Sequence, residues 1–154
     1  MDLNKTYRVV SQSGARDAKL GEILAASPQT LLYFYPKDNT PGCTLEAQDF
    51  TRAKDAFANA GIAIVGVSLD DEKSHAKFVD SCSLGIDLIS DDKTLHDELG
   101  VIGEKKNYGK VYVGVIRSTF LVDSRGNVVK EWRNVKATGH AAKVARELGV
   151  EAWA

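Results

Sequence analysis

The sequence predicts an α/β fold, a central mixed sheet flanked by helices on both faces. Three observations predict it. Short apolar runs, Leu31 to Tyr35 and Ile62 to Val67, read as buried strands. Amphipathic segments follow each run, so the early strands alternate with helices and pair in parallel through right-handed crossovers. Near the end, Asp123-Ser124-Arg125-Gly126-Asn127 is a turn between two strand-like runs and adds an antiparallel hairpin.

Taken in order, Tyr7 to Val10 is a short strand and Ser11-Gln12-Ser13-Gly14 a turn. Leu20 to Ala26 is a short helix, with Pro28 beyond its end. Thr30 to Tyr35 is the first well-marked strand. Cys43 to Asn59 is a helix, because Ala47, Phe50, Ala53 and Phe57 fall at three- and four-residue spacing. Gly61 suits its C-terminal cap. The continuous apolar run Ile62 to Val67 suits a strand covered on both faces. Asp70 and Asp71 supply helix-start chemistry for a helix to Cys82, which Gly85 breaks. Ile86 to Ile89 is a strand, and Asp91 to Leu99 a helix ending at Gly100. Glu104 to Lys110 reads as a polar, solvated loop around Tyr108. Val111 to Val122 reads as one strand, Val128 to Arg133 as its returning partner, and Thr138-Gly139-His140 opens a last helix. With no linker, repeat or low-complexity tract, residues 1–154 read as a single domain, and the element order is thioredoxin-like.

Composition narrows the function. A net charge of -1 provides no field for nucleic acid or a membrane surface. No stretch approaches the roughly 20 apolar residues of a membrane span, and the first residues begin no signal-like run. Two cysteines do not make a secreted disulfide framework, so the expected setting is the reducing cytoplasm.

The order strand, Pro36, polar turn, Cys43, helix puts one thiol at a helix N-terminus and at the carboxyl end of a strand. Both features favour a thiolate. Lowering a thiol pKa by about two units takes roughly 2.7 kcal/mol, whereas a helix N-terminus supplies about 0.3–2 kcal/mol. A cation is therefore required. Arg117 stands inside an apolar run, where an arginine either pairs with an anion or belongs to an edge strand in solvent. Thr40 can donate to the sulfur or a bound oxygen, or it can bond its own backbone. Pro36 and Pro41 stiffen the turn, and Pro41 fits the first helical turn. Glu46 shares a helical face with Cys43, either as a first-turn acid or as a holder of Arg117.

These residues resemble a known family. Pro36-Lys37-Asp38-Asn39-Thr40-Pro41-Gly42-Cys43 stands as the peroxiredoxin signature Pro-x-x-x-Thr-x-x-Cys. Tyr33-Phe34-Tyr35 before it, Thr44 and Glu46-Ala47 after it, Ser74-His75, Tyr108-Gly109-Lys110, Ile116-Arg117-Ser118-Thr119-Phe120 and Gly139-His140 are similar to the Q type, the bacterioferritin comigratory protein family. The resemblance covers about residues 30–148 and is weak before them. It implies a thiol peroxidase for hydrogen peroxide and organic hydroperoxides. Cys43 would be the peroxidatic thiol, with Thr40, Pro36 and Arg117 around it and no metal or organic cofactor. It further implies reduction by thioredoxin or a similar thiol, and a monomer.

Many relatives carry the resolving cysteine where this chain has Gln48, and others where it has Val79. The second thiol here is Cys82, about one helical turn after Val79. It is expected to resolve the sulfenic acid as an intramolecular disulfide, the alternative being an external thiol. A thiol–disulfide oxidoreductase on the same fold is disfavoured because Thr40 stands where a Cys-x-x-Cys motif would begin. A silent binding module is disfavoured by the intact set around Cys43. His75, His96 and His140 are too far apart for a ligand motif and read as surface or capping residues. Trp132 and Trp153 read as packing residues.

Overall fold

The computed structural model describes residues 1–151. Nine strands and five helices follow one another among them. The strands are β1 (Thr6–Ser11), β2 (Gly14–Lys19), β3 (Gln29–Phe34), β4 (Ile62–Ser68), β5 (Asp87–Ser90), β6 (Ile102–Asn107), β7 (Lys110–Val115), β8 (Ser118–Asp123) and β9 (Val128–Trp132). The helices are α1 (Leu20–Ala25), α2 (Pro41–Asn59), α3 (Glu72–Cys82), α4 (Thr94–Glu98) and α5 (His140–Glu147).

Seven strands form one sheet in the order β2-β1-β5-β4-β3-β8-β9. Strands β3, β4 and β5 pair in parallel, and β8 runs antiparallel beside β3. The sheet is therefore mixed, as the sequence predicts. Its two faces are read directly from the alternation along β3. Leu31 and Tyr33 join the cluster under α2, α3 and α5, whereas Leu32 and Phe34 join the one under α1 and α4. Phe50, Ala53 and Phe57 supply the α2 stripe and are fully buried.

Where β4 crosses this core, Gly66 faces Tyr33. A Cβ at Gly66 would lie 2.8 Å from Leu88 Cδ2 and 2.9 Å from Tyr33 Cζ and Oη. The backbone must approach a tyrosine ring here, and only glycine permits it. Gly66→Ala is expected to lower the unfolding free energy by about 1–3 kcal/mol through overpacking, read from urea denaturation. An unchanged midpoint would show that Tyr33 moves aside without cost.

Three details depart from the sequence reading. Glu104 to Lys110 is not a loop: β6 and β7 pair antiparallel around a tight turn at Tyr108 and Gly109, forming a separate two-stranded sheet. Val111 to Val122 is not one strand either, because the chain leaves β7, breaks at Ile116-Arg117 and enters the main sheet as β8. Arg117 thus sits at a strand break rather than inside a central strand. Helix α3 ends at Cys82 as the sequence predicts, with Ser83 in the left-handed conformation at φ 51 closing it. Strand β2, which hairpins back on β1, was not legible because its residues are mostly exposed and polar. The caps follow expectation elsewhere: Asp71 accepts from the Ser74 amide at 2.8 Å, and Gly61 takes φ 80 after α2. Trp132 packs as expected, its Nε1 donating to Glu147 Oε2 at 2.9 Å; Trp153 lies outside the described residues.

Candidate active site

The site is built where β3 stops. The backbone leaves the sheet at Tyr35, passes Pro36, and makes a polar turn held from below by Asp38. The Asp38 amide donates to Asp70 Oδ2 at 2.9 Å. Its carboxylate accepts from Tyr35 Oη at 2.6 Å and from Ser74 Oγ at 2.8 Å, and lies 2.7 Å from His75 Nδ1. His75 Nε2 is 3.0 Å from the Ile89 carbonyl oxygen. The turn is therefore tied to β3, β4, α3 and β5 at once, although it carries no regular structure. Asn39 crosses the turn in the left-handed region, φ 60, which asparagine tolerates better than most side chains.

After the turn, Thr40 is the N-cap of α2, Pro41 opens the helix, and Cys43 is in its first turn. The first amides of a helix have no partner within it and present partial positive charge. Cys43 is buried, with 1% of its surface exposed. Its sulfur accepts a hydrogen bond from Arg117 Nη2 at 3.2 Å. A guanidinium donor at that distance is placed to stabilise negative charge that develops on the sulfur. Arg117 Nη1 donates to Glu46 Oε1 at 2.6 Å. Of the readings open from sequence, Arg117 thus has acidic partners, the Cys43 sulfur and the Glu46 carboxyl, and Glu46 holds it. The strand break before β8 is what turns the guanidinium toward α2.

Thr40 takes the other of its two expected arrangements. Its hydroxyl donates to the Lys37 carbonyl oxygen at 2.8 Å rather than to the sulfur. The hydroxyl oxygen keeps its lone pairs, so it can accept from an incoming O–H group. Pro36 stands between β3 and the turn, where it ends the ladder by lacking a donor.

Glu46 is fully buried, and burial pushes its carboxyl up to about 7 against the opposing pull of Arg117. His140 is pushed down to about 4, first by burial and then by the Arg117 charge. It is neutral near pH 7, with Nε2 2.7 Å from Thr119 Oγ1. The three histidines are not surface residues, contrary to the sequence reading. His75 and His96 are completely buried, and His96 Nδ1 lies 2.6 Å from Asp91 Oδ2. Each finds its partner through the fold, which sequence spacing does not display. Among the described residues no group of three His, Cys, Asp or Glu side chains is placed to hold a metal.

Cys82 lies apart from this cluster, at the end of α3, and both cysteines are free thiols. Its sulfur is 3.9 Å from Asn39 Oδ1 and 3.7 Å from Ser81 Oγ. It lines a groove of about 340 Å³ together with Leu45, Gln48, Asp49, Arg52 and Ser83. The position of Gln48 and the position of Cys82 thus open on the same groove between α2 and α3. The residues that sequence reasoning missed are those under the turn, Tyr35, Asp38, Asp70 and Ser74. Tyr35, Asp38 and Ser74 carried a signal only as part of the family wording, and Asp70 only as helix-start chemistry.

Comparison with known proteins agrees with this geometry. The model of the AhpC/TSA family matches residues 10–131. A putative peroxiredoxin bcp of Helicobacter pylori strain J99 is 47% identical over 121 residues, which are 78% of this chain and 80% of that protein. Peroxiredoxin Bcp of Bacillus subtilis is 46% identical over 119 residues, 77% of this chain and 76% of that one. A solved structure of the Xanthomonas campestris bacterioferritin comigratory protein, described for its alkyl peroxide reduction, superposes with a TM-score of 0.84. That pair is 38% identical, and the superposition covers 98% of this chain and 94% of the other. The family match runs from β1 to β9 and takes in the turn, Cys43 and Arg117, so the chain belongs to the AhpC/TSA family, as a peroxiredoxin of the Bcp type and hence a thiol peroxidase.

Proposed function

We propose that Cys43 is the peroxidatic thiol and that it reduces hydrogen peroxide and organic hydroperoxides. The observation that carries this reading is the 3.2 Å hydrogen bond from Arg117 Nη2 to Cys43 Sγ. The thiolate attacks one peroxide oxygen, the O–O bond breaks, and the second oxygen leaves as water or alcohol after gaining a proton. Sulfur is oxidised by two electrons to a sulfenic acid. Arg117 and the first amides of α2 stabilise charge on the departing oxygen, and the lone pairs of Thr40 Oγ1 orient the peroxide hydroxyl. Pro36 and the Asp38 network hold the turn in register. The likeness to the Xanthomonas protein supports alkyl hydroperoxides as substrates.

Cys82 resolves the sulfenic acid. Its sulfur attacks Cys43 Sγ, the S–O bond breaks, and the hydroxyl leaves as water with the proton of the Cys82 thiol; the intramolecular disulfide that forms is then reduced by thioredoxin or a similar thiol. Support comes from the shared groove, since relatives that place their resolving thiol at the Gln48 position would use the same space. A disulfide needs Cα atoms within about 7 Å, and Cys43 is buried while Cys82 sits on the groove. The first turn of α2 and the last turn of α3 therefore open before the bond forms, as helix ends do at little cost. One equivalent of hydrogen peroxide is expected to yield a Cys43–Cys82 disulfide, seen by non-reducing peptide mass spectrometry. Recovery of Cys43 sulfenic or sulfinic acid with Cys82 still reduced would instead assign resolution to an external thiol. The chain acts as one domain, as a monomer and in the cytoplasm; among the described residues no helix is long and apolar enough to cross a membrane.

A further inference from the structure

Two acids share one cation in this site. Arg117 donates through Nη1 to Glu46 Oε1 at 2.6 Å and through Nη2 to Cys43 Sγ at 3.2 Å. If both acids were ionised, the pair would carry two negative charges against one positive charge. The Glu46 side chain is 0% exposed, so the excess charge would be buried, and an unmatched buried ion is strongly unfavourable. The second oxygen of Glu46 adds to this: Oε2 is buried and has no hydrogen-bond partner. An oxygen without donors is poorly placed to bear charge. Burial accordingly pushes this carboxyl up to about 7.

The surrounding elements do not supply a second positive charge. Tyr33 on β3 is neutral, its phenol raised well above the usual range by burial and then by Glu46 and Cys43. His140 on α5 is neutral near pH 7, pushed down by burial and by Arg117, with Lys143 adding to the effect. Asp49, one turn along α2, adds negative charge that raises Glu46 further, and it is itself paired with Arg52.

We propose that Cys43 and Glu46 hold a single proton between them over the one charge of Arg117, Glu46 carrying it while Cys43 is a thiolate. The inference rests on Cys43 being the peroxidatic thiol. In the reduced state the charges are thiolate, guanidinium and neutral carboxyl, which sum to zero. On oxidation the thiolate forms its S–O bond and loses its charge, and the carboxyl then ionises against Arg117. The sum is zero again. The proton Glu46 gives up balances the one that the departing alkoxide or hydroxide takes up, so the step draws no net proton from solution. Glu46 acts through Arg117 and is a positioning residue.

The test is infrared difference spectroscopy on the full chain labelled with carboxyl-¹³C glutamate. One equivalent of hydrogen peroxide is added near neutral pH, and oxygen addition or disulfide formation at Cys43 is followed in parallel by mass spectrometry. A protonated-carboxyl band that shifts with the label and bleaches as Cys43 is oxidised, and that is missing in Glu46→Gln, is the expected result. In Cys43→Ala, which leaves Arg117 to Glu46 alone, that band is expected to titrate away at lower pH than in the wild type. Oxidation of Cys43 without the bleach, or the same titration midpoint in Cys43→Ala, overturns the shared proton and leaves the peroxidase reading standing. Failure of peroxide to modify Cys43 overturns the peroxidase reading itself.

Discussion

Cys43→Ser is expected to abolish peroxide consumption while leaving the fold in place. A serine hydroxyl is not ionised near neutral pH and is a poor nucleophile without an adjacent base. The base would have to come from the site, where Arg117 is a donor and His140 is engaged with Thr119. The fold survives because the new hydroxyl still finds Arg117 Nη2 as a donor, so no buried polar atom is stranded. The stability change should stay within about 1 kcal/mol. Stopped-flow peroxide decay in the presence of a thiol reductant, with circular dichroism as the control for folding, measures both parts. A folded serine variant that turned over peroxide at the wild-type rate would place the nucleophile elsewhere, with Cys82 as the next thiol to examine.

Arg117→Ala is expected to slow the reaction of Cys43 with peroxide by about 10²–10³, the effect of removing one preorganised charge-stabilising donor. It also leaves Glu46 buried without its counterion. Breaking a buried pair can cost about 3–5 kcal/mol, but here the carboxyl already lies near 7 and can take up a proton. The loss of stability should therefore fall at the low end of that range and should grow as pH rises above neutrality. The sign follows from the shift: a carboxyl raised in the folded state gives stability at low pH, and that contribution is lost as pH rises through its folded value. Single-turnover kinetics and denaturation at two pH values separate the effects. Arg117→Lys keeps the charge without the fork, since a lysine cannot donate to sulfur and carboxylate from two fixed nitrogens. A rate unchanged in Arg117→Ala would show that the helix amides suffice to activate the thiol.

The sequence shows the reacting thiol more clearly than its support. Cys43 is legible because a strand, two prolines and a helix start bracket it within a short stretch. Arg117 is legible as an anomaly, a charge in an apolar run, but the reason it reaches α2 is not. The run from Val111 to Val122 satisfies the pattern of one strand, and a period-2 pattern does not say where a strand changes sheets. The chain breaks there because β7 pairs with β6 outside the main sheet, while β8 pairs with β3 within it. The histidines fail for a related reason. His75 is buried by Asp38, thirty-seven positions away, and His140 by Thr119, twenty-one away. Neither partner is visible to local spacing. Gln48 and Cys82 likewise become comparable only when α2 and α3 are seen to border one groove.

The β6–β7 pair has a consequence for solubility. A two-stranded sheet standing apart from the main one has two open edges, and each offers unpaired backbone donors and acceptors to another chain. The exposed residues include Tyr108, Val111, Tyr112 and Val113, with Tyr108 98% exposed and Val113 71%. Such an edge invites self-association into larger aggregates. Lys105, Lys106 and Lys110 lie on these same strands, and a like-charged neighbour would have to bring its own three lysines against them. The basic residues that look from sequence like an ordinary solvated loop thus act as gatekeepers, keeping copies of the chain from adding strand to strand.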